Sequence, residues 1–298
     1  MVVLITGSNK GIGLAIAELF AKSAYPSEII ITSRNIQVGE KTLENLRQKY
    51  PAQKFCLFQL DISDHGSRTQ AIAGIKQKFG KISVLINNAG FLHKEKGVSL
   101  HQQAIETLGI NYFGTKDFTN EISELITDRI VTVASFGSGM AFEGASDEIK
   151  QFCRNPQSEE KVDQIANEFI DLTKEGKSHV ERFGDHPVHG FWPYFVSKML
   201  IRKLTEFQAL KWPHLKVFSG CPGWVKSDMT DWMEAAPKTT EQGADIFWWM
   251  ATSNEENLLN NSGQYFEMFR SLSCWDAGYD FSKLSSFTVP DGKEIGKH

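Results

Sequence analysis

The sequence predicts an α/β fold: a doubly wound, mostly parallel sheet in one domain with a helical insertion. Three observations predict it. A short run rich in apolar and β-branched residues, Val2–Thr6, leads at once into a glycine-rich turn, Thr6-Gly7-Ser8-Asn9-Lys10-Gly11-Ile12-Gly13. Apolar runs of strand length then alternate with amphipathic segments as far as residue 135. Polar residues also gather where those runs end, as in Asn87-Asn88-Ala89-Gly90 and at Ser135. Strand and helix in repeated alternation build a parallel sheet covered on both faces, the Rossmann arrangement, whose ligands lie beyond the carboxyl ends of the strands.

The elements follow in order. Val2–Thr6 has the continuous apolar pattern of a strand buried on both faces. Ile12, Ile16, Leu19 and Phe20 share one side of a helix over Ile12–Ser23. Glu28–Ser33 is the second strand and Val38–Tyr50 the second helix. Lys54–Leu60 is the third strand, and a helix over Asp64–Phe79 is capped by Ser63 or Asp64. Ile82–Asn87 is the fourth strand, His101–Thr127 a long helical region, and Arg129–Ala134 the fifth strand. The rhythm breaks over residues 140–190, a polar insertion with one helix near Glu159–Lys174. It resumes with a helix at Trp192–Trp212, a strand at Lys216–Ser219, a helix at Thr239–Ala251 and a last strand at Gln264–Phe266. Residues 1–267 are read as the Rossmann domain and 268–298 as an aperiodic tail.

Composition narrows the function. A formal net charge of −4 over 298 residues, with no basic block, offers no electrostatic footprint for nucleic acid. No apolar stretch is long enough to cross a bilayer, and the first apolar run is too short for a signal peptide. Cys56, Cys153, Cys221 and Cys274 are scattered, as expected of reduced thiols in a cytoplasmic protein. His179, His186 and His189 match no common ligand spacing, so no metal is expected.

The glycine turn and a later pair carry the chemistry. Gly7 permits a tight turn, Gly11 and Gly13 allow close backbone approach, and the N–H groups opening the Ile12 helix face an anion. Tyr194 and Lys198, spaced Y-x-x-x-K, lie on one face of a helix. An ammonium beside a phenol favours the phenolate, and a phenol so tuned can protonate a carbonyl oxygen while hydride reaches the carbon.

The turn T-G-x-x-x-G-x-G, then Asn87-Asn88-Ala89-Gly90, Asn111, Ser135, Tyr194-x-x-x-Lys198 and Cys221–Met229 resemble, in that chain order, the short-chain dehydrogenase/reductase family over roughly residues 1–267. The long interval between Ser135 and Tyr194 looks like the carbonyl reductase branch. The resemblance implies that Tyr194 is the general acid in reduction, with Lys198 binding the nicotinamide ribose and tuning Tyr194. It implies that Ser135 holds the substrate oxygen and that Asn111 holds a water linking Lys198 to solvent. It carries cofactor contacts onto Gly7, Asn9, Lys10, Gly11, Ile12 and Gly13 in the turn. Asp61 and Ile62 fall at the adenine, Asn87, Ala89 and Gly90 near the ribose, and Pro222, Gly223, Trp224 and Val225 over the nicotinamide.

Ser33 followed by Arg34 replaces the acid that many NAD enzymes use on the ribose, and an arginine fork with Lys10 suits a 2′-phosphate, so the expected cofactor is NADPH/NADP. Phe136, Phe191, Trp224 and Trp232 are candidates for an apolar substrate wall. The expected partner is a small-molecule carbonyl (aldehyde, ketone or quinone). By the same resemblance, the insertion covers the helices used elsewhere for dimerisation, which implies a monomer. Two alternatives stay open: NADP-dependent oxidation of a specific secondary alcohol, and a dinucleotide-binding sensor without turnover.

Overall fold

The computed structural model describes residues 1–23, 28–174, 176, 178–186, 190–231, 236–267 and 270–276. Its centre is an eight-stranded sheet in the order β3-β2-β1-β4-β5-β6-β7-β8. The strands are β1 (Val2–Ile5), β2 (Glu28–Ser33), β3 (Lys54–Gln59), β4 (Ile82–Asn87), β5 (Ile126–Val133), β6 (Lys216–Gly220), β7 (Tyr265–Phe266) and β8 (Leu272–Ser273). All neighbours pair parallel except β7 and β8.

Leu4 of β1 sits between Ile30 and Leu85, so the central strands bury side chains on both faces and read as unbroken apolar runs. Alternate residues serve opposite layers. Val3 and Ile5 pack with helices α1 (Gly11–Lys22) and α11 (Thr240–Thr252) through Ile16, Phe20, Phe247 and Met250. Leu4 packs with α3 (His65–Phe79) and α5 (Thr115–Ile122) through Ile75 and Phe118. Strand order reverses between β1 and β4, which opens a crevice at their carboxyl ends. Helix α2 (Ile36–Lys49) bridges β2 and β3, with Asn35 as its cap.

Several expectations need correction. Gln264–Phe266 is not the last strand: β8 follows and extends the sheet, because Leu272 and Ser273 pair with Phe266 and Tyr265. The long helical region after Leu100 is α4 (Leu100–Leu108), a wide π-helical turn over Gly109–Gly114, then α5, and β5 begins three residues earlier than its apolar run, at Ile126. The insertion holds α6 (Gly137–Gly144), α7 (Asp147–Arg154), α8 (Glu159–Leu172) and α9 (Val180–Phe183) rather than one helix. These short helices have too few turns to declare a period and take their stability from packing. Ile149, Phe152, Ile165, Phe169 and Phe183 bury against Phe195 and Met199 of α10 (Phe191–Lys211). On the same side, Asp163 accepts from the Tyr112 hydroxyl at 2.8 Å and from Lys116 at 2.6 Å, and Glu159 accepts from Asn120 at 3.0 Å. A last short helix, α12 (Glu256–Leu259), precedes β7.

Candidate active site

Two side chains tie together the strand ends that border the crevice. Thr6 Oγ1 accepts the backbone N–H groups of Asn88 (2.9 Å) and Ala89 (3.0 Å), joining the end of β1 to the end of β4. Asn88 Nδ2 answers by donating to the Thr6 and Gly7 carbonyls at 2.9 and 3.1 Å. Sequence reasoning quoted Asn88 without giving it this role; its position after a β4 asparagine was the available signal. Gly7 and Gly11 take φ of +62° and +60°, which favours glycine. A Cβ on Gly11 would meet nothing within 4 Å, so the turn is open there. Lys10, the N-cap of α1, makes no side-chain cap, whereas Asn35, Asp64 and Thr239 cap α2, α3 and α11. The first N–H groups of α1 are thus left for an anion.

Ser135, Tyr194, Lys198 and Asn111 come together on the far side of this crevice. Ser135 lies two residues beyond the end of β5, is buried, and its Oγ accepts from Gly137 N at 3.2 Å. Tyr194 reaches toward it from α10, close enough for the two hydroxyls to affect one another. One turn on, Lys198 Nζ donates to the Val133 carbonyl at 2.7 Å and lies 5.5 Å from the centre of the Tyr194 ring. A Cβ on Gly90 would stand 3.5 Å from Asn111 Oδ1 and 3.7 Å from Lys198 Nζ, so Gly90 keeps the approach to both narrow and clear. Asn111 sits in the π-helical turn and is committed to protein groups: its amide donates to Phe91 O (2.9 Å) and Ser197 Oγ (3.0 Å), and its carbonyl accepts from Phe91 N (2.7 Å).

The electrostatics revise the expected tuning of Tyr194. Burial pushes its phenol above the ordinary value, with the Ser135 hydrogen bond working in the other direction. The physical reason is that the Lys198 ammonium is aimed at the Val133 carbonyl, while the dry site penalises a phenolate. Tyr194 therefore holds its proton at neutral pH. Lys198 is pulled down to about 8, chiefly by burial, with the Cys221 thiol opposing.

A lysine lowered on folding has released a proton that the unfolded chain still carries between about 8 and 10.5. Its contribution therefore destabilises the fold fully below about 8 and is relieved as pH rises toward 10.5, by up to about 3 kcal/mol. Urea titrations across that window should show wild type gaining stability relative to Lys198→Met. Parallel curves would contradict the shift.

The remaining site residues are placed as follows. Asn87 Nδ2 is buried and donates to Thr119 and Thr132 hydroxyls at 2.9 and 3.4 Å, so it braces the strand ends. Asp61 Oδ1 accepts from Ser63 N and Oγ at 3.0 and 2.6 Å, and Ile62 is buried beside it. Arg34 is exposed at the end of β2, beyond the buried Ser33. Thr42 Oγ1 donates to the Asn9 carbonyl at 3.0 Å. Lys10 pairs with Asp228 at 2.7 Å, and Lys94 pairs with Asp231 at 2.7 Å and donates to the Asp228 carbonyl, so the segment after Val225 is tied across the crevice.

The Cys221 thiol accepts from Phe136 N (3.2 Å) and Gly223 N (3.3 Å), joining the Ser135 loop to the Pro222-Gly223 turn. Burial raises its pKa, which keeps the thiol protonated and unreactive.

Of the proposed substrate wall, Phe191 and Trp224 are each 4% exposed and belong to the core, because Phe191 packs against Phe195 at 5.3 Å within the aromatic cluster that also holds Trp192. Phe136 keeps open surface beside Ser135. Trp232 lies outside the described residues, as does His189. His179 packs edge-on to Phe169, and His186 stacks on Trp192. No helix among the described residues is long and apolar enough to cross a membrane.

Comparison with known proteins agrees with this geometry. The family model for short chain dehydrogenases matches residues 1–147. Carbonyl reductase (NADPH) 1 of Homo sapiens is 32% identical over 250 residues, covering 82% of this chain and 88% of that protein. The structure of salutaridine reductase from Papaver somniferum superposes with a TM-score of 0.75 at 25% identity, over 89% of this chain and 98% of that one. NADPH-bound carbonyl reductase from chicken fatty liver shares the fold, with a TM-score of 0.66 at 19% identity, over 92% of this chain and 98% of that one. On this family match and this identity over most of its length, the protein belongs to the short chain dehydrogenase family.

Proposed function

We propose that the protein is an oxidoreductase that reduces the carbonyl of an aldehyde, ketone or quinone to the alcohol with NADPH. The observation that carries this reading is the gathering of Ser135, Tyr194 and Lys198 just beyond β5, with Lys198 Nζ 5.5 Å from the centre of the Tyr194 ring and bonded to the Val133 carbonyl. All three stand across the crevice from an uncapped helix N-terminus. Bound in that crevice, NADPH supplies hydride to the carbonyl carbon. Tyr194 gives its proton to the carbonyl oxygen, and Ser135 stabilises the charge that grows there. Lys198 holds the ribose hydroxyls and returns positive charge to the site as Tyr194 becomes phenolate. The intact group of four speaks against a sensor without turnover.

The turn Gly7–Gly13 holds the pyrophosphate, while Gly90, Pro222, Gly223, Trp224 and Val225 surround the nicotinamide end. Phe136, packed against Phe195, offers the apolar wall for the substrate. Arg34 and Lys10 take the 2′-phosphate, and Lys10 must exchange Asp228 for it. That exchange is inexpensive, since both side chains of the pair are largely exposed. Arg34→Ala should weaken NADPH by about tenfold or more in a fluorescence titration and leave NADH nearly unchanged. Equal losses would remove Arg34 from the phosphate site.

The chain is read as a cytoplasmic monomer. The insertion lies on the outer side of α4, α5 and α10, with Asp163 and Glu159 paired to Lys116 and Asn120. A sedimentation mass near 33.5 kDa is expected, and twice that value would count against it.

A further inference from the structure

Three successive turns on one face of α10 grip the end of β5 and the start of α6. Tyr194 stands beside Ser135, and Lys198 donates to the Val133 carbonyl at 2.7 Å. One turn further, Arg202 Nη1 donates to Ser138 Oγ at 3.4 Å. Ser138, fully buried, donates its hydroxyl to the Ser135 carbonyl at 2.7 Å and its N–H to the same oxygen at 3.0 Å. An arginine on the Ser138 oxygen leaves that hydroxyl proton only one use, the Ser135 carbonyl. Ser135 is thus held from both sides, through Val133 before it and Ser138 after it.

Arg202 is itself braced by the end of the described chain. It is 5% exposed, and its guanidinium lies 4.1 Å from the Tyr265 ring centre and 3.8 Å from that of Trp275. Nη2 donates to the Ser273 carbonyl of β8 at 3.2 Å. Trp275 Nε1 donates to Glu206 at 3.0 Å, and Arg154 binds Asp276 at 2.6 Å, so residues 272–276 are pinned where they cover the arginine. A planar cation between two ring faces is fixed in orientation as well as in place.

We infer that Arg202 is a positioning residue for Ser135, acting through Ser138 and clamped by the C-terminal segment 270–276. The inference rests on the reductase reading above. Its effect is on turnover, because Ser135 Oγ must meet the substrate oxygen as charge develops, while the cofactor is held elsewhere. An arginine that only anchored the C-terminal segment would change stability and leave the split between kcat and cofactor binding untouched.

The test uses the full chain and four variants: Ser135→Ala, Ser138→Ala, Arg202→Met and the Ser138→Ala/Arg202→Met double. Reduction of menadione is followed by loss of NADPH, and NADPH binding is measured separately by fluorescence titration. Ser135→Ala should nearly abolish turnover; if it does not, Ser135 is not a group that needs positioning and this inference falls, whereas a wild type that turns over no carbonyl would sink the reductase reading itself. Ser138→Ala and Arg202→Met should each lower kcat by about tenfold, with NADPH Kd held within about twofold. The double variant should be no worse than the poorer single, since both cut one path. With Ser135→Ala inactive, unchanged kcat in the singles, or losses that multiply in the double, would overturn the inference alone. Should Arg202→Met fail to fold, Ser138→Ala decides, because it removes only one hydroxyl.

Discussion

Tyr194→Phe is expected to lower carbonyl turnover by about a thousandfold while NADPH binding stays within about twofold. The substitution removes one oxygen from a ring that keeps its packing against Phe195, at 6.2 Å between ring centres. The lost oxygen is the proton source, and Ser135 cannot replace it, since a serine hydroxyl is a far weaker acid. Burial holds Tyr194 protonated, so the loss should be similar at every pH from mildly acid to neutral. NADPH consumption with a panel of aldehydes, ketones and quinones measures the first quantity, and fluorescence titration the second. Retention of most activity would remove Tyr194 from the chemistry.

A second large effect is expected at Gly13. A Cβ there would fall 2.4 Å from Asn88 Nδ2, 2.7 Å from the Gly7 carbonyl and 2.9 Å from Ser8 Cα. Two of these are backbone atoms of the turn itself, so neither can swing away. The third is the amide that holds the Thr6 and Gly7 carbonyls. Gly13→Ala should therefore cost about 3 kcal/mol of stability, near the top of the range for inserting one carbon into a packed site. Urea denaturation reads this loss directly, and a midpoint equal to wild type would show that the turn can yield. NADPH affinity should fall with it, because moving Asn88 or Gly7 displaces the pyrophosphate cradle.

Much of the architecture was legible before any coordinates. Alternation of apolar runs and amphipathic segments carries the parallel sheet, since strands buried on both faces must be continuously apolar and helices must bury one stripe. The glycine spacing and the Tyr194-x-x-x-Lys198 pair were equally visible, because a tight turn and a shared helix face are local properties. The short helices α6, α7 and α9 were not, nor was β8, whose two residues become a strand only by pairing with β7. The aromatic residues near the crevice could be noticed in the sequence, but only packing separates the buried Phe191 and Trp224 from the more open Phe136.

The amino-acid order by itself carried the fold class, the glycine turn and the Tyr194-x-x-x-Lys198 pair, because each depends on residue type and short spacing, while Asn111 and Ser135 entered through the family resemblance. Only the tertiary structure decided what those groups do to one another. Burial and direction are long-range quantities: burial raises the Tyr194 phenol, Lys198 donates to Val133, and Lys10 meets Asp228 across the crevice. The same holds for Arg202, an unremarked helix position in the sequence. Its place between Tyr265 and Trp275 exists only because β6, β7 and β8 bring the C-terminal residues back beside α10.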